Sequence, residues 1–267
     1  MWWRSVGLKA FYDQWRGTLS LAGAMAFYSG ALVALYPSIS SIIAIRDIFD
    51  KLPEAMRALF APGGVDLTTP EGFIATEFFS IVGPLLFFGY TIGIGGSATA
   101  AEEERGTIDM LAALPIPRWR IPFEKFLALV VGTAILAVAL WGGIVVGARI
   151  VNVDVSARGI GALTVSAALM GLLFGALALW IGAATGRRTF SIGLAFGAAI
   201  LSYFVYSFSE LVDLLKPVRP LSPFSYYIGD NPLVNGLLAR NVAVLAGVTV
   251  ILLLLSLVTF SRRDLRV

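Results

Sequence analysis

The sequence predicts an all-α membrane protein with six transmembrane helices. Three observations carry this: 58% of residues are hydrophobic, only 14% are charged, and the apolar residues gather into six uninterrupted runs. Soluble domains carry roughly 25% charge because their outer surface must face water. A chain with a mean hydropathy of +0.84 has too little polar surface for that, whereas lipid lets the outside of a bundle be apolar as well. Cysteine and histidine are both absent, which excludes disulfides, thiol nucleophiles, Ser-His-Asp triads and the commonest transition-metal ligands.

A hydrocarbon core of about 30 Å requires about 20 apolar residues at 1.5 Å each. Runs of that order lie at residues 19–36, 78–101, 126–148, 160–185, 190–208 and 242–260. Before the first, residues 1–18 hold Trp2, Trp3, Arg4, Lys9, Phe11, Tyr12, Trp15 and Arg16. They lack the apolar core and cleavage site of a signal peptide and read as an interfacial amphipathic elbow helix. Pro84 falls inside the second run, where it is expected to bend the helix. The fourth and fifth runs are separated by little more than Gly186, Arg187 and Arg188, so they form an antiparallel hairpin.

An even number of spans puts both termini on one side, and basic residues identify that side. Of the 20 lysines and arginines, Arg4, Lys9, Arg16, Arg105, Arg118, Arg120, Lys125, Arg187, Arg188, Arg262, Arg263 and Arg266 fall on the side of the termini and close to helix ends. Both termini are therefore expected in the cytoplasm. Two outward segments exceed what a turn needs. Residues 37–77 mix charge with apolar residues as interfacial helices do, and Thr69, Pro70 and Glu71 form an N-cap, an N1 proline and a first-turn acid. Residues 209–240 are broken by Pro217, Pro220, Pro223 and Pro232, which rule out one long helix. Short helices dipping into the outer leaflet as a re-entrant segment are expected there.

The most informative stretch is the cytoplasmic segment 101–117, together with the turn that follows it. It opens with Glu102, Glu103 and Glu104 and continues as a short amphipathic helix. Ile108, Leu111 and Leu114 share one face, and Arg105 and Asp109 pair at i, i+4 on another. Pro115, Pro117 and Pro122 stop it, and Arg118, Trp119 and Arg120 anchor the next turn at the headgroups.

Glu103, Glu104, Arg105, Gly106, Thr107, Asp109, Leu111, Leu114, Pro115, Arg118 and Lys125, in that order, resemble the characteristic cytoplasmic segment of ABC-2 family ABC transporter permeases. The likeness extends to the elbow, the six spans and the proline-broken outer segment. The long outer segment 37–77 departs from the compact members of that family. The resemblance implies that 1–267 is a single permease domain whose coupling helix, with Glu102, Glu103, Glu104, Arg105, Gly106, Thr107, Asp109 and Leu111, docks on a cytoplasmic ATPase. It further implies two ABC ATPase subunits and a second copy of this chain, or a related permease, in the membrane. The chain has no GxxxxGK[ST] phosphate loop, so ATP and magnesium are expected in the partner ATPase and no cofactor in this chain. No nucleic acid partner is expected.

Small-xxx-small pairs at Gly89/Gly93, Gly143/Gly147, Gly171/Gly175, Gly182/Gly186 and Gly193/Gly197 are expected to serve packing within the chain. Phe27, Tyr28, Tyr203 and Phe204 are candidates for lining a substrate pathway, because the resemblance places the first and fifth helices at a dimer interface. Charge is nearly absent from the runs, so an inorganic ion would lose its hydration without replacement ligands. A hydrophobic or amphiphilic exported substrate is the expectation, with a secondary transporter or an uncoupled six-span protein as the alternative.

Overall fold

A computed structural model describes residues 6–40, 69–106, 116–209 and 211–263. Most of the outer segment 37–77, and Thr107, Asp109 and Leu111 of the coupling segment, lie outside the described residues. The described residues form six long helices joined by short ones: α1 (Val6–Ser40), α2 (Pro70–Ser97), α3 (Ala100–Glu104), α4 (Arg120–Ile150), α5 (Ala157–Thr185), α6 (Arg188–Phe208), a 3₁₀ segment (Asp213–Leu221), α7 (Pro223–Tyr227), α8 (Pro232–Asn235) and α9 (Ala239–Arg262). α1, α2, α4, α5, α6 and α9 are each long and apolar enough to cross a membrane. No strand occurs among the described residues.

The sequence places its helix signals well. Thr69 caps α2, its hydroxyl accepting the Gly72 N–H at 3.0 Å, and Pro70 occupies the first turn. Ser156 does the same for α5 through the Gly159 N–H at 3.1 Å. α5 ends at Gly186, whose φ of +65° is a left-handed cap that glycine adopts without a Cβ penalty. Pro223 and Pro232 open α7 and α8 at positions where no N–H is needed.

The expected separate elbow is corrected. Val6–Ser40 is one uninterrupted helix, so the described part of residues 1–18 forms the first turns of α1. Nothing between Asp13 and Leu21 stops a helix, since Gly17 alone only weakens one. At 1.5 Å per residue its 35 residues rise about 52 Å, more than the roughly 30 Å hydrocarbon layer, so the polar first turns extend beyond it. They are held to α4, where the Glu124 carboxylate accepts the Gly7 N–H at 2.8 Å.

Before Pro84, where the sequence predicts a bend, the helix is widened. Residues Ala75–Val82 of α2 are π-helical, and the Gly83 N–H reaches back to the Phe78 carbonyl. A proline ring clashes with the carbonyl four residues before it, here Ser80, and a widened turn relieves that clash. In the π spacing the Phe79 carbonyl would accept from residue 84, which has no N–H. The buried Tyr227 hydroxyl donates to that carbonyl instead, at 2.7 Å.

α5 is the hub: the most apolar stretch of α5 is 78% buried, against 28%, 22% and 22% for α1, α6 and α9. It crosses α2 where Gly95 lies on the Gly175 backbone, with no room for a Cβ. α1 runs parallel to α4 in constant register: Gly7 meets Glu124, Ala26 meets Gly143 and Gly30 meets Gly147. A Cβ on Gly147 would stand 2.6 Å from the Gly30 carbonyl oxygen. Lipid supplies no hydrophobic force between helices, so this closeness, which maximises dispersion contacts, holds the pair together. Gly143/Gly147 and Gly171/Gly175 therefore serve packing within the chain, as expected, while Gly89, Gly93, Gly193 and Gly197 have open space around them.

The end opposite the termini is tied by polar contacts. The Ser156 N–H donates to Glu71 at 3.2 Å, and Asp230 accepts from Arg240 at 2.6 Å and from Asn241 at 2.9 Å. Phe224 of α7 packs on Tyr203, Phe88 and Tyr227, with ring centroids 5.3, 6.1 and 6.1 Å away. The proline-broken segment is thus short helices folded against the bundle.

Candidate coupling site

After Ser97 the helix breaks at Ala98 and Thr99 and resumes as α3, one turn long. Ala100 and Ala101 are buried. The three glutamates that follow project in successive directions, about 100° apart, and each reaches a different part of the bundle.

Glu102 pairs with Lys125 of α4 at 2.5 Å. Lys125 is only 7% exposed and also donates to the Ala98 carbonyl, so its ammonium is held by a carboxylate and a backbone dipole together. Glu103 pairs with Arg263 just beyond α9, and its side chain is 7% exposed. The same guanidinium donates to the Ala183 carbonyl at 2.9 Å near the end of α5. Gly186 lies directly on this carboxylate: a Cβ there would stand 2.5 Å from Glu103 Oε2. Glu104 accepts the Arg188 N–H at 2.8 Å. That N–H is one of the donors left unpaired at the start of α6, where a negative charge also meets the positive end of the helix dipole. A neighbouring ion pair extends the network, since Glu124 binds Arg120 at 2.5 Å while its other oxygen accepts from Gly7.

The acidic triplet therefore works as a clasp. From one turn of helix it holds the ends of α4, α5, α6 and α9, and Glu124 adds α1. Arg105 is exposed, and Gly106, with φ of +66°, lets the chain turn away. On the returning side Pro117, Arg118 and Trp119 are exposed before α4 begins. Of the expected coupling residues, Glu102 and Glu103 thus face inward, Glu104 caps α6, and Arg105 and Gly106 face outward.

Arg188 and Arg263 entered the sequence reading as topology signals, and Lys125 also as the last residue of the family motif, all without partners. Glu103 and Arg263 lie 160 positions apart, and no local spacing links them.

The pathway candidates separate into two pairs. Phe27 is 80% exposed, and Tyr28 leans on Phe78 with centroids 5.8 Å apart. Tyr203 packs on Phe224, while Phe204 is half exposed and stacks on Phe208 at 5.9 Å. No ring contact joins the α1 pair to the α6 pair among the described residues.

Five membrane-crossing helices packed around a sixth, with a charged clasp at one end, are the architecture of a multi-pass membrane protein. Residues 18–265 match the family model described as ABC-2 family transporter protein, and the chain belongs to that family. Among curated proteins, no sequence matches it.

Proposed function

We propose that the chain is the permease subunit of an ATP-binding cassette exporter, with both termini in the cytoplasm and ATP hydrolysed by two separate ATPase subunits. The observation that carries this reading is the clasp. A push on the segment between Arg105 and Arg118 acts on α3, and α3 is ion-paired or hydrogen-bonded to the ends of α4, α6 and α9. A short charged helix with an apolar stripe, as the sequence gives for residues 101–117, suits a groove in a partner protein.

In this reading Arg105, Gly106, Thr107, Asp109 and Leu111 form the ATPase-facing part. Glu102, Glu103 and Glu104 are positioning residues that carry its movement into the bundle. Two copies of the chain surround one pathway. The low burial of α1 and α6, and the outward-facing Phe27 and Phe204, supply faces for a second copy. The substrate is hydrophobic or amphiphilic, because the spans offer a hydrated ion too few charged ligands to replace its water.

The test is ATPase activity of the reconstituted complex. Charge reversal at Arg105 should abolish ATPase co-purification. Glu103→Gln should preserve co-purification while lowering substrate-stimulated hydrolysis. A chain that purifies without any ATPase and transports on a proton gradient alone would overturn the assignment.

A further inference from the structure

Between the first turns of α1 and the first turns of α4 lies a cleft of about 580 Å³, within the range of sites that hold small molecules, roughly 300–1,000 Å³. Its walls are apolar, formed by Leu8, Phe11, Phe123 and Leu127, and its rim carries Trp119 and Arg120. We propose that this cleft holds one anionic glycerophospholipid from the leaflet on the side of the chain termini.

The cleft straddles the edge of one leaflet. Its Glu124 end lies level with the polar first turns of α1, at headgroup depth, while Leu127 and Val131, also in the lining, belong to the apolar run 126–148. Leu127 and Val131 are 46% and 49% exposed, so an acyl chain can lie along them from the side.

The charge at the rim selects the headgroup. Glu124, the one acid lining the cleft among the described residues, has both oxygens occupied, one by Arg120 and one by the Gly7 N–H. Arg118, beside the rim, is exposed and makes no ion pair among the described residues. The rim is therefore net positive. Trp119 is 47% exposed and meets Phe123 edge to face at 6.0 Å, an amphipathic ring at the depth where indoles sit at membrane interfaces. Basic clefts between membrane helices bind anionic headgroups, with roughly fivefold gained per arginine near the surface.

The experiment uses the purified full-length chain, released from nanodiscs of mixed phosphatidylglycerol and phosphatidylcholine into native mass spectrometry. The wild type should retain one phosphatidylglycerol per chain, preferred about fivefold over phosphatidylcholine, the gain of the one arginine charge that Glu124 leaves unoffset. Arg118→Gln combined with Arg120→Gln should bring that preference to about one. Leu127→Trp, which fills the cleft and leaves the charges alone, should abolish retention of both lipids while circular dichroism stays helical. Three results would each overturn the proposal: no headgroup preference in the wild type, unchanged retention in Leu127→Trp, or loss of dimer rather than of lipid in that variant. None of these measurements depends on an ATPase or on the direction of transport, so failure here leaves the exporter reading standing, and the converse also holds.

Discussion

Tyr227→Phe isolates one hydrogen bond. Tyr227 is fully buried, and its hydroxyl donates to Phe79 at 2.7 Å. Burial also raises its phenol well above the ordinary value, so it remains a donor at any working pH. The variant keeps the ring and leaves one buried carbonyl unpaired. An orphaned buried polar group costs about 1–3 kcal/mol, and measured hydrogen bonds within membrane bundles average about 0.6 with a maximum near 1.7 kcal/mol. A loss of about 1–1.5 kcal/mol is expected, at the upper end because Pro84 removes the in-helix alternative. The assay is equilibrium unfolding in mixed micelles, run as a double-mutant cycle with Pro84→Ala. Alanine restores an N–H at position 84 that can serve Phe79, so Tyr227→Phe should cost under about 0.5 kcal/mol in that background. Equal cost in both backgrounds would refute the argument that the proline creates the demand for the tyrosine.

Gly186→Ala imposes left-handed strain of about 1–2 kcal/mol and drives a methyl into the Glu103 carboxylate. Its unfolding midpoint should fall further than that of Gly106→Ala, which has a φ of +66° but open space around it. Glu102→Gln leaves the Lys125 ammonium without its carboxylate and should cost about 2–3 kcal/mol in the same unfolding assay, less than the 3–5 kcal/mol of a fully buried pair, because Glu102 is 27% exposed. Lys125→Met in that background should recover part of the loss. Gly147→Leu should separate α1 from α4, read as accelerated hydrogen exchange confined to α1 and α4. For topology, a cysteine at Val234 should react with a membrane-impermeant thiol reagent in intact cells and one at Arg187 should not; the reverse pattern would invert the orientation.

The sequence by itself determined the helices. In a bilayer every backbone group must be paired within its own segment, so each span is written locally in about 20 consecutive residues. Caps such as Thr69 and stops such as Gly186 act within one turn and were equally legible. The prolines of 209–240 were readable because a missing N–H is a property of the residue itself. The single long α1 was not, because the amphipathic composition of residues 1–18 suits an interfacial helix as well as the polar extension of a span.

What only the tertiary structure decided is which helices are neighbours. The cationic residues near the termini end were interchangeable as charges in the sequence. Packing alone assigned Lys125 to Glu102, Arg263 to Glu103 and the Arg188 amide to Glu104. Likewise the need for a donor at Phe79 follows from Pro84 five residues on, but its source, Tyr227, lies 148 positions away. An orphaned carbonyl or a charge next to lipid specifies that a partner must exist and says nothing of which segment brings it. That choice rests on the close approach of small residues along α1, α4 and α5, a property of surfaces that meet only once the bundle has assembled.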